Sequence, residues 1–223
     1  MEGIIEFVQT VIKFMPKFLP GVLTTLQLSI FSIILGTLFG LFITLLKLSK
    51  SKVLSRIADF YVTLVRGTPL LLQLFFIFYG LPQIGFEIGR FTSAIIGLAF
   101  HSGAYISEIF RGAILSIDYG QDEAARALGM TKTQSFKHVI LPQAFKRSVP
   151  ALGNQFIIAV KDSSLASVIT ITETMLLARQ YVAATYQVFP IFFLAACYYL
   201  IIILSLTKLL AKLEMKLKVN ERS

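Results

Sequence analysis

Long stretches without a single charged side chain are the feature that most limits how this chain can fold. The five longest run over residues 18–46, 67–86, 91–107, 148–160 and 180–207. A hydrocarbon core about 30 Å thick is crossed by about 20 apolar residues in a helix, so the first and last runs can span it outright. The other three reach spanning length only by including a charge. A soluble protein can bury one such helix but not five, so we predict an integral membrane protein.

The overall composition agrees with this interpretation. Hydrophobic residues make up 56% of the chain and charged residues 15%, and the mean hydropathy is +0.76. We expect an all-α membrane protein with a single transmembrane domain, residues 1–223. The single cysteine, Cys197, lies in the last apolar run, so neither a disulfide framework nor a metal site is expected. The predicted transmembrane helices are 20–47, 55–81, 91–116, 148–172 and 187–211.

The N-terminal segment, residues 1–19, is predicted to lie at the membrane surface. Residues 4–15 form an amphipathic pattern that Pro16 and Pro20 should stop. Glu2 and Glu6 stand where a signal peptide would carry basic residues, and no small-residue cleavage site follows. We therefore do not expect this segment to be a removed signal peptide.

The distribution of lysine and arginine predicts the orientation. With the N-terminus outside, fifteen of the 21 lysine and arginine residues fall on one face, in loops, at helix ends and in the basic tail 212–223, and four fall on the other, which leaves Arg66 and Lys161 within the membrane. Because basic loops remain in the cytoplasm, the basic face is predicted to be cytoplasmic. The net charge of +9 is then explained by topology and anionic lipid, without nucleic acid. The four outer residues are Lys13, Lys17, Arg90 and Arg179.

Residues 123–142, EAARALGMTKTQSFKHVILP, form a basic amphipathic stretch on the predicted cytoplasmic face, within a loop of residues 117–147. Asp122 and Glu123 favour the start of a short helix. Gly129 can end that helix in a left-handed conformation. The segment 131–134 fits a capping box that opens a second short helix, limited by Pro142. We predict a compact pair of helices, called the cytoplasmic knob below.

The knob also resembles the cytoplasmic loop of ABC-importer permeases. The shared pattern is Glu123-Ala124-Ala125, three residues, Gly129, nine residues, a β-branched residue (here Val139 in place of the usual isoleucine), one residue, then Leu141-Pro142. Three further segments resemble the branch that imports polar amino acids. They are Arg66-Gly67-Thr68-Pro69, Ala104-Tyr105-Ile106-Ser107-Glu108-Ile109-Phe110-Arg111-Gly112 and Lys161-Asp162-Ser163-Ser164-Leu165, where Ser163 replaces a frequent threonine.

This resemblance implies a type I ABC importer fold in a bacterial inner membrane. It implies a homodimer, or a heterodimer with a similar permease, above two ATPase subunits that bind ATP and magnesium. An extracytoplasmic binding protein would deliver a polar amino acid. The knob would dock on the ATPase through Glu123, Ala124, Ala125, Gly129, Leu141 and Pro142. No cofactor is implied for this chain.

Charged residues at membrane depth are the candidate substrate contacts. A charge there costs about 2.5–3.5 kcal/mol, so Lys161, Asp162, Glu108 and Arg66 each require a partner or an aqueous cavity. The four formal charges sum to zero, which suits a zwitterion. The alternative is a structural ion-pair network, especially for Glu108, which has Arg111 three residues further on. For Arg66, which precedes a helix break predicted at Gly67 and Pro69, the alternative is a packing or gating role. Tyr105 and Ser163 complete the candidate set.

Two further polar residues, His101 and Gln73, lie at the same predicted depth. A histidine in such a setting is more often a packing residue than a substrate contact, and Gln73 either lines the same path or makes an interhelical hydrogen bond.

No glycine precedes a lysine, which excludes a G-x-x-x-x-G-K phosphate loop, and no hydrolase motif occurs. An enzyme is therefore not expected. A stand-alone secondary amino acid transporter is the alternative, although five helices without an internal repeat disfavour it.

The orientation can be tested by cysteine labelling in a Cys197→Ala background. Cysteines placed at Lys50 or Thr133 should react with a membrane-impermeant maleimide only from the cytoplasmic side. A cysteine placed at Glu87 should react only from outside. The reverse pattern would overturn the orientation predicted from the charges.

Overall fold

The computed structural model describes residues 2–219, with side chains from residue 3 to residue 217, so the last four residues of the predicted basic tail lie outside it. Over the described residues the chain forms eleven α-helices and no strand. They are α1 (Glu2–Phe14), α2 (Leu19–Lys47), α3 (Lys52–Arg66), α4 (Leu70–Phe75), α5 (Leu81–Gln83), α6 (Arg90–Leu115), α7 (Tyr119–Ala127), α8 (Lys132–Ser135), α9 (Leu141–Asp162), α10 (Thr174–Thr185) and α11 (Val188–Val219).

Three helical stretches are long and apolar enough to cross a membrane by themselves, namely Gly3–Lys47, Arg90–Leu115 and Val188–Leu217. Two further candidates are bent pairs, Lys52–Arg66 with Leu70–Gln83 and Lys132–Ile169 with Thr174–Thr185. The described residues therefore contain three spans, or five if each bent pair crosses once. The helical membrane class is confirmed, and the exact number of crossings stays a prediction.

The predicted helix 55–81 is sharply broken. Its two halves, α3 and α4, meet at 105°. Pro69 has no amide hydrogen to continue the helix, and it biases Thr68 toward an extended backbone. Pro69 itself is extended, with φ −61° and ψ 137°. The predicted break at Gly67 and Pro69 is therefore confirmed.

The region of the predicted fourth helix differs from expectation at both ends. Pro142 does not end the second knob helix, because the chain stays helical from Lys132 to Ile169. A π-helical turn, Phe136–Ile140, widens the helix just before Pro142, which occupies the first turn of α9 and needs no amide donor there. The same π-turn and Leu-Pro arrangement occurs at Phe76–Gly80 and Pro82.

Two predicted site residues, Lys161 and Asp162, lie at the end of α9 and not in the middle of the predicted helix 148–172. Beyond Asp162 the chain tightens into a 3-10 helix, Ser163–Ile169. The hydroxyls of Ser163 and Ser164 donate to the carbonyls of Val160 and Lys161, at 2.8 and 2.6 Å, and such back-bonding competes with regular helix geometry. Lys161 and Asp162 therefore terminate α9 and do not lie at its midpoint.

The N-terminal segment is helical, as predicted. Helix α1 ends at Phe14, a 3-10 turn follows at Met15–Phe18, and α2 resumes with Pro20 in its first turn. The segment packs against α10 and α11, where Phe14 and Phe18 contact Tyr181. Its position at a membrane surface stays a prediction.

The most extensive helix pair, α2 with α6, is built on small residues. Gly36 and Gly40 form a G-x-x-x-G pattern on α2, which lets helix backbones approach closely in membranes. A Cβ atom at Gly40 would stand 2.9 Å from the Gly103 carbonyl oxygen and 2.8 Å from the Ile106 side chain. This contact joins the two helices against which α3 and α9 also pack.

We therefore expect Gly40→Val to destabilise the protein by about 1–3 kcal/mol, because the added atoms overpack a closed interface. Gly112→Val on α6 is the matched control, since a Cβ there meets nothing within 4 Å. Thermal unfolding in detergent should show a lower midpoint for the first variant only. Equal midpoints for the two variants would contradict the packing argument.

Candidate functional site

Three of the six predicted substrate contacts line one open cavity of about 400 Å³. Arg66 is the last residue of α3, whereas Tyr105 and Glu108 lie one turn apart on α6. Helix α9 closes the third side with two amide side chains, Asn154 and Gln155. The walls thus carry a cation, a carboxylate, a phenol and two amides within a mainly apolar bundle.

The carboxylate of Glu108 is already engaged by two cations. Lys47 Nζ lies 2.5 Å from Oε1, and the Arg111 guanidinium lies 2.8 Å from Oε2. Lys47 also pairs with Asp59 at 2.9 Å, so the network joins α2, α3 and α6. Its two anions and two cations balance. The predicted Glu108–Arg111 pair is therefore present, and Lys47 is the partner that sequence reasoning missed.

Arg66 is held differently from Glu108. Its guanidinium carbon lies 5.5 Å from the centroid of the Tyr105 ring, a cation–π distance. Among the side chains of residues 3–217, no carboxylate lies within ion-pair distance of Arg66. Arg66 therefore lines the open cavity without an ion-pair partner among the described side chains.

Lys161, Asp162 and Ser163 do not line this cavity. Lys161 is exposed, Asp162 is half-buried, and neither forms an ion pair with any described side chain. Each lies seven residues beyond a cavity-lining amide, Asn154 or Gln155. Seven residues are two helical turns, or about 10 Å along the same face of α9. By helix geometry alone, the two charged residues therefore lie on the same face of α9 as the two amides, closer to the end of the helix.

Ser163 is fully buried, and its hydroxyl donates to the Val160 carbonyl. The hydroxyl is therefore used within the helix. Asn154 and Gln155 are the lining residues that the sequence analysis missed. Their position about two turns before Lys161 and Asp162 could have indicated that they share a helix face with these charges. That spacing could be used only once the bounds of α9 were known.

The glycine bend and the capping box of the knob form as predicted, whereas the first knob helix begins earlier than expected, at Tyr119, and the second continues through Pro142. The Asp118 side chain caps α7 by accepting from the Gly120 amide at 2.7 Å. Gly129 ends this helical turn with φ +86°, the left-handed conformation that favours glycine. The capping box is complete, since the Thr131 amide donates to Gln134 Oε1 and the Gln134 amide donates to Thr131 Oγ1.

Most predicted coupling residues lie on the outer surface of the knob. Glu123, Ala124, Gly129, Leu141 and Pro142 are exposed. The exception is Ala125, which is 4% exposed and buried inside the knob.

Large side chains also stand out from the knob. Leu128 is 83% exposed and Tyr119 is 71% exposed. Beside Tyr119, residues Glu123, Arg126 and Gly129 line an open depression of about 450 Å³. Protruding apolar side chains next to charged ones are typical of a surface that another protein covers.

An open cavity that carries charged and polar side chains in a helical membrane protein, together with an exposed knob, is the arrangement expected of a membrane transport protein. Residues 36–219 match the family model described as binding-protein-dependent transport system inner membrane component. The chain belongs to this family, and it is the integral membrane permease subunit of an ABC importer.

Similar curated proteins cover nearly the whole chain. The arginine transport system permease protein ArtQ of Bacillus subtilis (strain 168) is 41% identical over 207 residues, which are 92% of this chain and 94% of that protein. The nopaline transport system permease protein NocM of Agrobacterium fabrum is 38% identical, with 97% and 94% covered. The glutamine transport system permease protein GlnP of Escherichia coli (strain K12) is 36% identical, with 92% and 94% covered.

Solved structures of ABC transporters are also similar to this chain. The crystal structure of an amino acid ABC transporter with histidines matches with a TM-score of 0.89 and 40% identity, covering 93% of this chain and 97% of that one. An inward-facing MetNI methionine ABC transporter matches with a TM-score of 0.75 at 22% identity, covering 90% and 95%, and shows the fold alone. The predicted type I ABC importer fold is confirmed.

Proposed function

We propose that this permease subunit carries polar amino acids, and that the cargo passes the cavity between α3, α6 and α9. The observation that carries this proposal is the uncompensated charge along that path. Arg66 lines the cavity, and Lys161 and Asp162 lie on the same face of α9 as its two lining amides. An amino acid brings one carboxylate and one ammonium, which complement these side chains in a site with little water. The relatives named for arginine and glutamine transport support this cargo class.

The direct contacts are Arg66, Tyr105, Lys161 and Asp162. We assign Glu108 to the ion-pair network and not to the direct contacts, because Lys47 and Arg111 already neutralise its charge. Ser163 shapes the end of α9 through its hydrogen bond to Val160.

The remaining assignments follow from the family. The chain works with a second permease subunit, identical or similar, and with a dimer of ATPase subunits that hold ATP and magnesium. The N-terminus lies outside and the C-terminus in the cytoplasm, where the knob contacts the ATPase. A binding protein delivers cargo from outside. This chain itself catalyses no reaction.

Coupling through the knob has a direct test at Gly129. Gly129→Val places a β-branched residue at φ +86°, which costs about 1–3 kcal/mol and deforms the bend. We expect vesicles with the ATPase, the binding protein and this variant to lose most ATP-driven uptake of labelled amino acid, with weakened ATPase association.

Gly129→Asn is the matched control, because asparagine tolerates the left-handed conformation, and it should retain most uptake. Normal uptake by the valine variant in an intact complex would remove the docking role. The wild-type permease alone should not transport. Uptake without any ATPase would instead identify a secondary transporter.

The cargo site is tested at Lys161 and Asp162. Asp162→Asn and Lys161→Met each remove one charge that the proposed site uses. Both variants should assemble with the ATPase, because neither charge is in an ion pair with a described side chain, yet both should lose uptake. Charges that were instead buried as a structural pair would make the single variants assemble poorly, since an unpaired buried charge costs about 3–5 kcal/mol. Recovery of transport when both charges are neutralised would exclude the cargo role.

A further inference from the structure

The break between α3 and α4 leaves backbone carbonyls that no helical amide can reach, and Gln73 supplies their donors. Its side-chain nitrogen donates to the Val65 carbonyl at 2.8 Å and to the Thr68 carbonyl at 3.1 Å. Gln73 is 8% exposed, so no water layer surrounds these bonds. One amide therefore fixes the backbone on both sides of Arg66.

These bonds also determine how the Gln73 amide is turned. Because its nitrogen faces two carbonyl oxygens, its Oε1 faces the other way, 3.1 Å from His101 Nδ1 on α6. A carbonyl oxygen only accepts, so His101 must carry its proton on Nδ1. The histidine thus connects the broken segment to the long helix that passes behind it.

The His101 ring continues the connection toward the cavity. Its centroid lies 5.1 Å from that of Tyr105, one turn further along α6. Tyr105 in turn carries the guanidinium of Arg66 at 5.5 Å. A continuous series of contacts therefore runs from the backbone beside Arg66, through Gln73, His101 and Tyr105, to the Arg66 side chain.

A flexible arginine that faces a cavity loses affinity for its ligand unless its orientation is set before the ligand arrives. No described carboxylate performs that task for Arg66, in contrast to Arg111, which Glu108 holds. We propose that Gln73 and His101 are positioning residues that, through the α3–α4 break and Tyr105, hold the Arg66 guanidinium ready for the carboxylate of the cargo. This inference rests on the proposed amino acid site.

The test is a double-mutant cycle between Gln73 and Arg66. The measured quantity is binding of tritiated arginine, glutamine, histidine and cystine to the purified permease–ATPase complex in nanodiscs, without the binding protein. Gln73→Met keeps the side-chain length and removes the amide. It should weaken binding of the amino acid that the wild type binds best by roughly tenfold, the size of one or two lost hydrogen bonds. In an Arg66→Gln background the same change should weaken binding further by less than about twofold.

Two variants separate the two contacts of His101. His101→Phe keeps a ring beside Tyr105 but removes the donor to Gln73, and it should match Gln73→Met. His101→Asn keeps a donor near the position of Nδ1 and should recover part of the loss. Gln187→Met is the matched control, because it also removes one side-chain hydrogen bond, to Glu6, away from the cavity, and it should bind as the wild type does.

The outcomes distinguish this proposal from the one on which it depends. If Gln73→Met weakens binding equally with and without Arg66, Gln73 is a general structural residue and the positioning role is wrong. If Gln73→Met binds as tightly as the wild type, the role is also wrong. If the wild-type complex binds none of the four amino acids, the proposed amino acid site fails, and the positioning role fails with it.

Discussion

Hydrocarbon offers no water to a polar group, and this constraint governs where the helices of this protein break and where its charges lie. Each unpaired backbone group at membrane depth costs several kcal/mol, so irregular backbone persists there only where other groups satisfy it. Among the described residues, no fully buried side-chain nitrogen or oxygen lacks a hydrogen-bond partner. The two bent segments show how this is achieved.

At the first bend, the Gln73 amide donates to the Val65 and Thr68 carbonyls in place of backbone amides. At the second, the fully buried Glu173 carboxylate caps α10 by accepting from the amides of Met175 and Leu176, both at 2.8 Å, and from the Tyr199 hydroxyl at 2.8 Å. Each bend therefore depends on one polar side chain that also contacts a neighbouring helix. Polar contacts of this kind join the short segments to α6 and α11, so the breaks add connections within the bundle.

The charges divide into two groups by the same constraint. Lys47 and Glu108, with Arg111 and Asp59, neutralise one another in a network across three helices. Arg66, by contrast, lines the cavity and is in no ion pair with a described side chain. The proposed transport path would use both kinds, because balanced pairs hold the helices together while unbalanced charges remain available to a charged cargo. The open cavity lies where the two groups meet.

Local rules were sufficient for features that neighbouring residues determine. The apolar runs predicted the membrane class, Gly129 and the capping box at 131–134 predicted the knob, and Gly67 with Pro69 predicted the break. The prediction that Pro142 limits a short helix was wrong, because the π-turn just before it accommodates the proline ring. The sequence does not reveal that turn. Glu108 was correctly paired with Arg111, three residues away, but its partner Lys47 is 61 residues away. The sequence by itself determined helices, breaks and turns, since these depend on residues within a few positions. Only the tertiary structure decided which charges are neutralised and which line the cavity, because that depends on contacts between helices distant along the chain.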